Sequence, residues 1–389
     1  MTSARPIGDL VTIVGGGTPT RTKGEFYGGG VPWVTPKDMK TWDITESQVM
    51  LTEDGVNQSP AKVIEPNAVL VVVRSGILKH TLPIAVNRVP VTLNQDMKAL
   101  ICKPGLHPDY LARYLKWRAP EILGWVRATT ADNFPVATLR QLEIPVPALQ
   151  EQRRIAAILD QADALITTRR EALRLVGMLS ASVYDELFGD PTSNPRGWPR
   201  RRLRDVCDAI NDCPHSTPRW TVAGEVCLRT SNLSTGGWDW SDTRYVSPQD
   251  YSVRSARAEI APGDVILSRE GTVGVAAIVE PGMRVCMGQR LVHVRTDRAR
   301  VLPRFLLRTL LILLAPQRIG QVMVGSTSRH LNVRDLRSLE VVVPPLELQE
   351  QFDRAMARLE AAAEVAGRQI LEAQSLQGAL TELAFKGEL

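Results

Sequence analysis

Three short clusters set arginine or histidine among small hydroxyl and amide side chains: His215-Ser-Thr-Pro-Arg219, Arg229-Thr-Ser-Asn232 and Ser326-Thr-Ser-Arg-His330. A guanidinium carries parallel N–H donors that match a phosphate or the edge of guanine, and amides and hydroxyls pair with other base edges. The chemistry these clusters suit is recognition of a polyanion, although such a cluster taken alone is more often a surface turn than a contact. Residues for making or breaking bonds are missing. The sequence has no NPPY or DPPY tetrapeptide for amino methylation, no GxxxxGK phosphate loop followed by Ser or Thr, and no PD...(D/E)xK arrangement for metal-assisted cleavage. Gly15 to Gly17 and Gly28 to Gly30 form no GxGxxG at a helix start and are expected as turns flanking strands. Cys102, Cys207, Cys213, Cys227 and Cys286 are odd in number and include no CxxC pair, which argues against a disulfide framework and against zinc. His215 stands two residues after Cys213 with no second ligand pair at usable spacing, so no metal is expected.

Unpaired cysteines and an N-terminus without a basic and then apolar layout predict a cytoplasmic protein. The longest apolar run, Phe305 to Leu314, is interrupted by Arg308 and is too short to span a bilayer, so it is read as a buried helix.

The elements that must position these residues come in two copies. Shifting the sequence by 197 residues lays LRQLEIPVPALQEQ, from Leu139, on LRSLEVVVPPLELQ, from Leu336, with eight of fourteen positions identical. Each copy runs from a strand-like segment through proline into a long segment of helical periodicity. Upstream, the apolar run Val69 to Val73 ends in Arg74-Ser-Gly76, and Val265 to Leu267 leads to Arg269-Glu-Gly271. Duplication explains this, with a period too long for a solenoid.

The segments Glu151 to Phe188 and Leu348 to Phe385 place apolar residues at three- and four-residue spacings without proline, predicting helices of about 55 Å at 1.5 Å per residue. Two independent surface helices would satisfy the pattern; a seam sustained over about five heptads is better satisfied by the helices packing on each other as a coiled coil. If they run antiparallel, the globular units lie at opposite ends. Glycines after Phe188 and Lys386 supply stops, and Pro191 to Pro199 reads as a linker. The expected domains are therefore residues 1–148, a helix at 149–189, a second unit at 190–344 and a helix at 345–389.

Charge separates along these boundaries. Residues 1–148 hold 16 Lys and Arg against 13 Asp and Glu, and residues 190–344 hold 22 against 15. The helices hold 5 against 6 and 4 against 8. A polyanion is thus expected at the globular units, and protein partners at the helices. All 22 basic residues of the second unit are arginine, a bias that guanine recognition or a GC-rich genome would equally produce.

Gly15-Gly-Gly-Thr-Pro19 followed by Val31-Pro-Trp-Val34 and Asp38, and Asp212-Cys-Pro-His-Ser-Thr-Pro-Arg219 leading to Leu228-Arg-Thr-Ser-Asn232, resemble the opening of target-recognition domains in specificity subunits of type I restriction-modification systems. The family's usual glycine before Pro-His is Cys213 here, which bears on the geometry of that turn. The proline-rich leads into the long helices, Pro145-Val-Pro-Ala-Leu-Gln-Glu-Gln152 and Pro344-Pro-Leu-Glu-Leu-Gln349, carry the resemblance most specifically. It covers essentially the whole chain.

The resemblance implies an α+β fold in which two mixed α/β target-recognition domains are joined by two long helices packed as an antiparallel coiled coil. Each domain would read one half of a bipartite, asymmetric site on double-stranded DNA, with spacer length following coiled-coil length. Two methyltransferase subunits, binding S-adenosylmethionine and methylating adenine, would dock on the helices, and translocase-nuclease subunits would join for restriction. The chain itself would bind no cofactor and catalyse nothing. Candidate DNA-binding residues are Lys23, Lys37, Thr130 and Asn133 in the first unit and His215, Thr217, Arg219, Arg229, Asn232, Arg290, Ser328 and His330 in the second. Arg74, Gln95, Arg269 and Gln289 recur in both and suggest shared architecture or phosphate contact. Gln152, Arg154 and Gln349 are candidate partner-binding residues on the helices. The alternatives are a recognition subunit whose partner fuses methyltransferase and nuclease, a coiled-coil protein adaptor, and, least in keeping with the missing motifs, a self-contained nuclease or methyltransferase.

Overall fold

A run of four buried aliphatic or small residues forms the central strand of each half: Val69–Val72 in one and Val265–Ser268 in the other. Such runs are not alternating, because both faces of a central strand are covered. The computed structural model describes residues 4–127, 132–271, 273–319 and 331–389. They form two units, one of residues 1–170 with 368–389 and one of 171–367.

In the first unit, β2 (Val11–Gly15), β9 (Met97–Cys102), β6 (Val69–Val72), β7 (Ile84–Asn87) and β4 (Asp43–Ile44) lie in that order in one sheet. In the second, β12 (Cys207–Asp212), β19 (Leu291–Thr296), β16 (Val265–Ser268) and β17 (Ala276–Ile278) repeat its first four places. A smaller sheet accompanies each: β5 (Met50–Leu51), β3 (Tyr27–Val34) and β8 (Thr92–Leu93), against β13 (Trp220–Thr221), β15 (Tyr245–Val246), β14 (Glu225–Leu228) and β18 (Val285–Met287). In both, the strand after the first turn pairs in parallel with the strand before the last one, Val34 opposite Leu93 and Leu228 opposite Met287. Cys227 and Cys286 are register partners in this ladder, and all five cysteines are free.

The unit ends are tied before the long helices begin. β1 (Ala4–Pro6) pairs antiparallel with β10 (Glu143–Pro145), and β11 (Arg200–Arg202) with β20 (Glu340–Val342). The first long helix then runs Leu149–Phe188 and the second Leu346–Lys386. Within the first unit the start of the first helix lies with the end of the second; within the second unit the end of the first lies with the start of the second. The pairing is therefore antiparallel. Gly189 and Gly387 close the two helices at φ of 72° and 78°, a left-handed conformation in which a Cβ is strained.

Each unit also has its own helix with proline in the first turn, Pro108–Trp117 and Pro303–Leu313. The apolar run around Arg308 is this second helix, with Phe305, Leu306 and Leu310 buried. The two helices are plugged in the same way. Phe385, at the end of the second long helix, sits among Tyr110, Tyr114 and Trp117 with ring centroids 5.2–5.4 Å away. Phe188, at the end of the first, packs on Phe305 at 4.7 Å and Phe352 at 5.6 Å.

Residues 191–199 are not a free tether. Trp198 Nε1 donates to the Phe188 carbonyl at 3.1 Å, and Arg318 makes a forked pair with Asp190 at 2.7 and 2.8 Å. That guanidinium pulls the Asp190 carboxyl down to about 2. In the core of the second unit, Asp264 is 3% exposed. Burial opposes its ionisation, yet bonds from Arg295 and His293 at 2.8 Å outweigh this and hold the carboxyl well below the usual range.

Candidate nucleic-acid interface

In the first unit the candidate residues gather where β6 ends and β9 begins. Arg74 Nε donates to Asp96 Oδ1 at 2.5 Å, and its backbone N–H to the Asp96 carbonyl at 3.2 Å. Asn94 Nδ2 donates to the other carboxylate oxygen of Asp96 at 3.1 Å. Asn133 bridges the backbone of Arg74, and Gln95 is bonded to Thr18 in the turn that follows β2. That turn is the Gly15–Gly17 segment. A Cβ on Gly16 would lie 1.9 Å from the Asn94 carbonyl oxygen, and one on Gly17 2.4 Å from the backbone of Pro60, so glycine is required for the loops to pass this closely.

The second unit builds the same corner with other side chains. Arg269, after β16, sits 3.3 Å from Asp212 at the end of β12, and His215 sits 3.4 Å from the same carboxylate. Gln289 Nε2 donates to the His215 carbonyl at 2.7 Å, as the buried Arg254 does to Ser216 at 2.8 Å. Cys213 stands where the first unit has Gly16. It is buried, its N–H donates to the Leu291 carbonyl at 3.2 Å, and it is not among the positive-φ residues, so the turn forms without glycine. Burial pushes its thiol up, away from reactivity.

Arg269 and Arg74 thus share a place, and each is paired with a carboxylate, Asp212 at the end of β12 for one and Asp96 before β9 for the other, which fits framing of the corner; the Arg269 side chain is only 12% exposed. Arg290 is presented outward, 62% exposed, with a φ of 68° that disfavours any side chain. Strain of this kind costs about 1–3 kcal/mol and collects at functional positions. Arg290→Gly is expected to stabilise the chain by about 0.5–1 kcal/mol in denaturant unfolding while weakening DNA binding in a titration. A loss of stability would mean that the side chain serves packing instead.

His215, Thr217, Arg219, Lys23 and Lys37 are exposed, as a contact role requires. Lys23 rests over Phe26, and Lys23 and Lys37 lie on either side of β3. Thr130, Ser328 and His330 lie outside the described residues. Arg229 is engaged within its own loop, its Nη2 bonding the Asp242 carbonyl at 2.7 Å and pairing with the Asp242 carboxylate.

Three expectations need correction. Asn232 is 1% exposed; its Oδ1 accepts from the Arg229 N–H at 3.0 Å, and its Nδ2 donates to the carbonyls of Asp239 and Asp242. It caps its own turn, as Asp38 does for Thr35 in the first unit. Gln152 and Gln349, expected to meet partners, are fully buried. Gln152 accepts from the His107 N–H at 2.8 Å and donates to the carbonyls of Gly105 and Pro147, both at 2.9 Å. Gln349 does the same for Leu302, Arg300 and Pro344. Each clamps the start of a long helix to the start of its unit's own helix. Arg154 remains on the surface, bonded to Glu151 and to the Leu389 carbonyl.

Sequence reasoning passed over an arginine recess. Arg202, Arg204, Arg334 and Arg337 line a cavity of about 590 Å³ whose wall includes Asp212, so it adjoins the corner just described. The Arg200-Arg-Arg-Leu-Arg204 run was its visible sign. Also missed was Trp220, 37% exposed and flanked by Arg229 and Arg244 with their guanidiniums 5.9 and 5.6 Å from its ring.

The two copies of one corner, each lined with exposed basic and polar side chains, fall in two stretches that a single family model matches in turn. The model of the type I restriction modification DNA specificity domain matches residues 3–175 and again residues 195–373. The chain belongs to that family. Specifying DNA sequence within a type I restriction-modification system is its role. Among curated relatives it is similar to the type I restriction enzyme EcoR124I/EcoR124II specificity subunit of Escherichia coli, 38% identical over 172 residues. That match spans 43% of this chain and 43% of the relative. It is also similar to the MjaIX specificity subunit of Methanocaldococcus jannaschii, 23% identical over 99% of this chain and 93% of the relative. Among solved structures, the S subunit of a type I system from M. genitalium shares the fold with a TM-score of 0.59, at 14% identity over 98% of this chain and 96% of that one. Among the described residues, no helix is long and apolar enough to cross a membrane.

Proposed function

We propose that each unit of this specificity subunit reads one half of a bipartite, asymmetric site on double-stranded DNA, and that the chain directs the catalytic subunits to that site without catalysing a reaction or binding a cofactor itself. The observation that carries this is one frame furnished twice. The corner is built alike in both units by Arg74 and Arg269 and by Gln95 and Gln289, while Asp96 stands in one where Arg290 stands in the other. A common frame with different outward side chains is what reading two different half-sites demands.

Phosphate contacts would set register, and base-edge contacts the sequence, while a partner extracts the adenine to be methylated. Two methyltransferase subunits, which hold S-adenosylmethionine, would dock on the long helices, and translocase-nuclease subunits would join for restriction. Exposed apolar residues on those helices support docking: Leu165, Leu371, Leu376 and Leu383 in the first unit, and Leu175, Met178, Leu179 and Val365 in the second. The spacer between half-sites would follow the length of the helix pair, and the assembly would work in the cytoplasm.

The test is co-expression with the methyltransferase subunit of its own system, followed by mapping of methylated adenines by single-molecule sequencing. One split motif with a fixed gap is expected; methylation by the methyltransferase alone would overturn the reading.

A further inference from the structure

The two units differ where their own helices meet the long helices. In the first, Arg113 is nearly buried. It pairs with Asp160 at 2.6 Å and with Asp163, and its guanidinium lies 4.2 Å over the Trp42 ring. Gln377 bonds Asp163 from the facing helix. The site is closed by its own side chains.

The corresponding arginine of the second unit is Arg308, since Pro108 and Pro303 open the two helices in the same way. The 197-residue repeat puts Ala357 in the place of Asp160, Ser180 in that of Gln377 and Gly177 in that of Gln374. Glu360 keeps the place of Asp163, but Arg304 takes it at 2.7 Å. Three truncations and one diverted carboxylate leave a cavity of about 450 Å³. Gly177, Ser180, Trp238, Phe352 and Met356 line it, and so does Arg308. Among the described residues Arg308 has no hydrogen bond or ion pair, and its Nε is buried without a partner.

From this we infer that the cavity is a socket for an aspartate or glutamate side chain on the methyltransferase subunit that docks on the long helices, supplying to Arg308 what Asp160 supplies to Arg113. The inference rests on the docking reading above. The apolar walls fit the stem of an inserted side chain, and the guanidinium its carboxylate. Glu280 and Glu360 also line the cavity, and Arg304 engages Glu360, so Arg308 is the lining cation left for an incoming carboxylate. The cavity lies beyond β17, the sheet edge away from β12, whereas the DNA corner lies at the ends of β12 and β16. A protein carboxylate therefore fits it better than a phosphate. Among the described residues of the first unit Asp160 and Asp163 already fill the corresponding place, so the two units would hold their methyltransferase copies with unequal strength.

The experiment measures stoichiometry and affinity of the full chain for its methyltransferase subunit by titration calorimetry and mass photometry. Arg308→Met is expected to weaken one of the two binding events by at least about tenfold and leave the other unchanged. Ala357→Asp, which restores the internal carboxylate, should raise the melting temperature of the free chain and weaken the same binding event. If both variants bind both copies like the wild type, the socket is overturned and docking stands. A wild-type chain that binds no methyltransferase overturns the docking reading and the socket with it.

Discussion

Replacing Phe385 by alanine is expected to destabilise the first unit by about 3–5 kcal/mol, the range for emptying a buried aromatic site. Phe385 is 5% exposed and touches three aromatic rings, one of them, Trp117, stacked at 24°. No neighbour can collapse into the space, because Tyr110 and Tyr114 are fixed by their hydroxyls. Tyr110 donates to the Pro145 carbonyl at 2.9 Å and Tyr114 donates to that of Glu143. Loss of the plug therefore frees the helix Pro108–Trp117 and the last turns of the second long helix together. Hydrogen exchange checks it: amides of Pro108–Trp117 should lose protection while those of Pro303–Leu313 keep theirs, and Phe188→Ala should reverse the pattern. Equal loss in both helices would show that the plugs do not act unit by unit.

The like endings of the two long helices were legible in the sequence, where Phe188 and Phe385 fall in register in the 197-residue repeat, but the rings they pack on were not. The central strands, whose unbroken aliphatic runs leave little choice, and the glycine stops were legible too. The side-chain roles were less legible. Asn232 has the composition of a base reader, but an amide three residues after Arg229 caps a turn with the same atoms. Gln152 and Gln349 close the repeated segment and carry the look of exposed helix residues, but the partners that bury them lie 45 to 49 residues upstream, on a segment that only the fold brings near. Arg74 finds Asp96 across a β-ladder, a proximity that no local spacing announces. The outward Arg290 was chosen for its type; its left-handed backbone is visible only in three dimensions. The arginine recess joins residues 202 and 204 to residues 334 and 337, from the two ends of the unit. Either half looks like a solvated charge run until β11 and β20 pair and bring them together.

That recess carries the last prediction. The 197-residue offset gives Arg334 the place of Ala137 in the first unit, and the matched registers of β1 with β10 and β11 with β20 give Arg202 and Arg204 the places of Pro6 and Gly8. The first unit therefore lacks these cations. Arginines on a rigid strand end and helix beside the recognition corner suit phosphates, which carry charge but no sequence. Changing Arg202, Arg204 and Arg334 together to alanine should reduce the slope of log affinity against log salt by about 3 and weaken binding on the order of 100-fold at physiological salt. The loss should be equal on matched and mismatched DNA, and the methylated motif should stay the same. Arg229→Ala should do the opposite: a change of about 1–3 kcal/mol confined to one half-site, with little effect on the salt slope. A triple variant that altered the motif, or an Arg229→Ala chain weakened equally on all DNA, would reverse the two assignments. The contrast is decisive because the two sets differ in what holds them: Arg229 is pinned by Asp242 beside Trp220, whereas Arg202 and Arg334 have no acidic partner among the described residues.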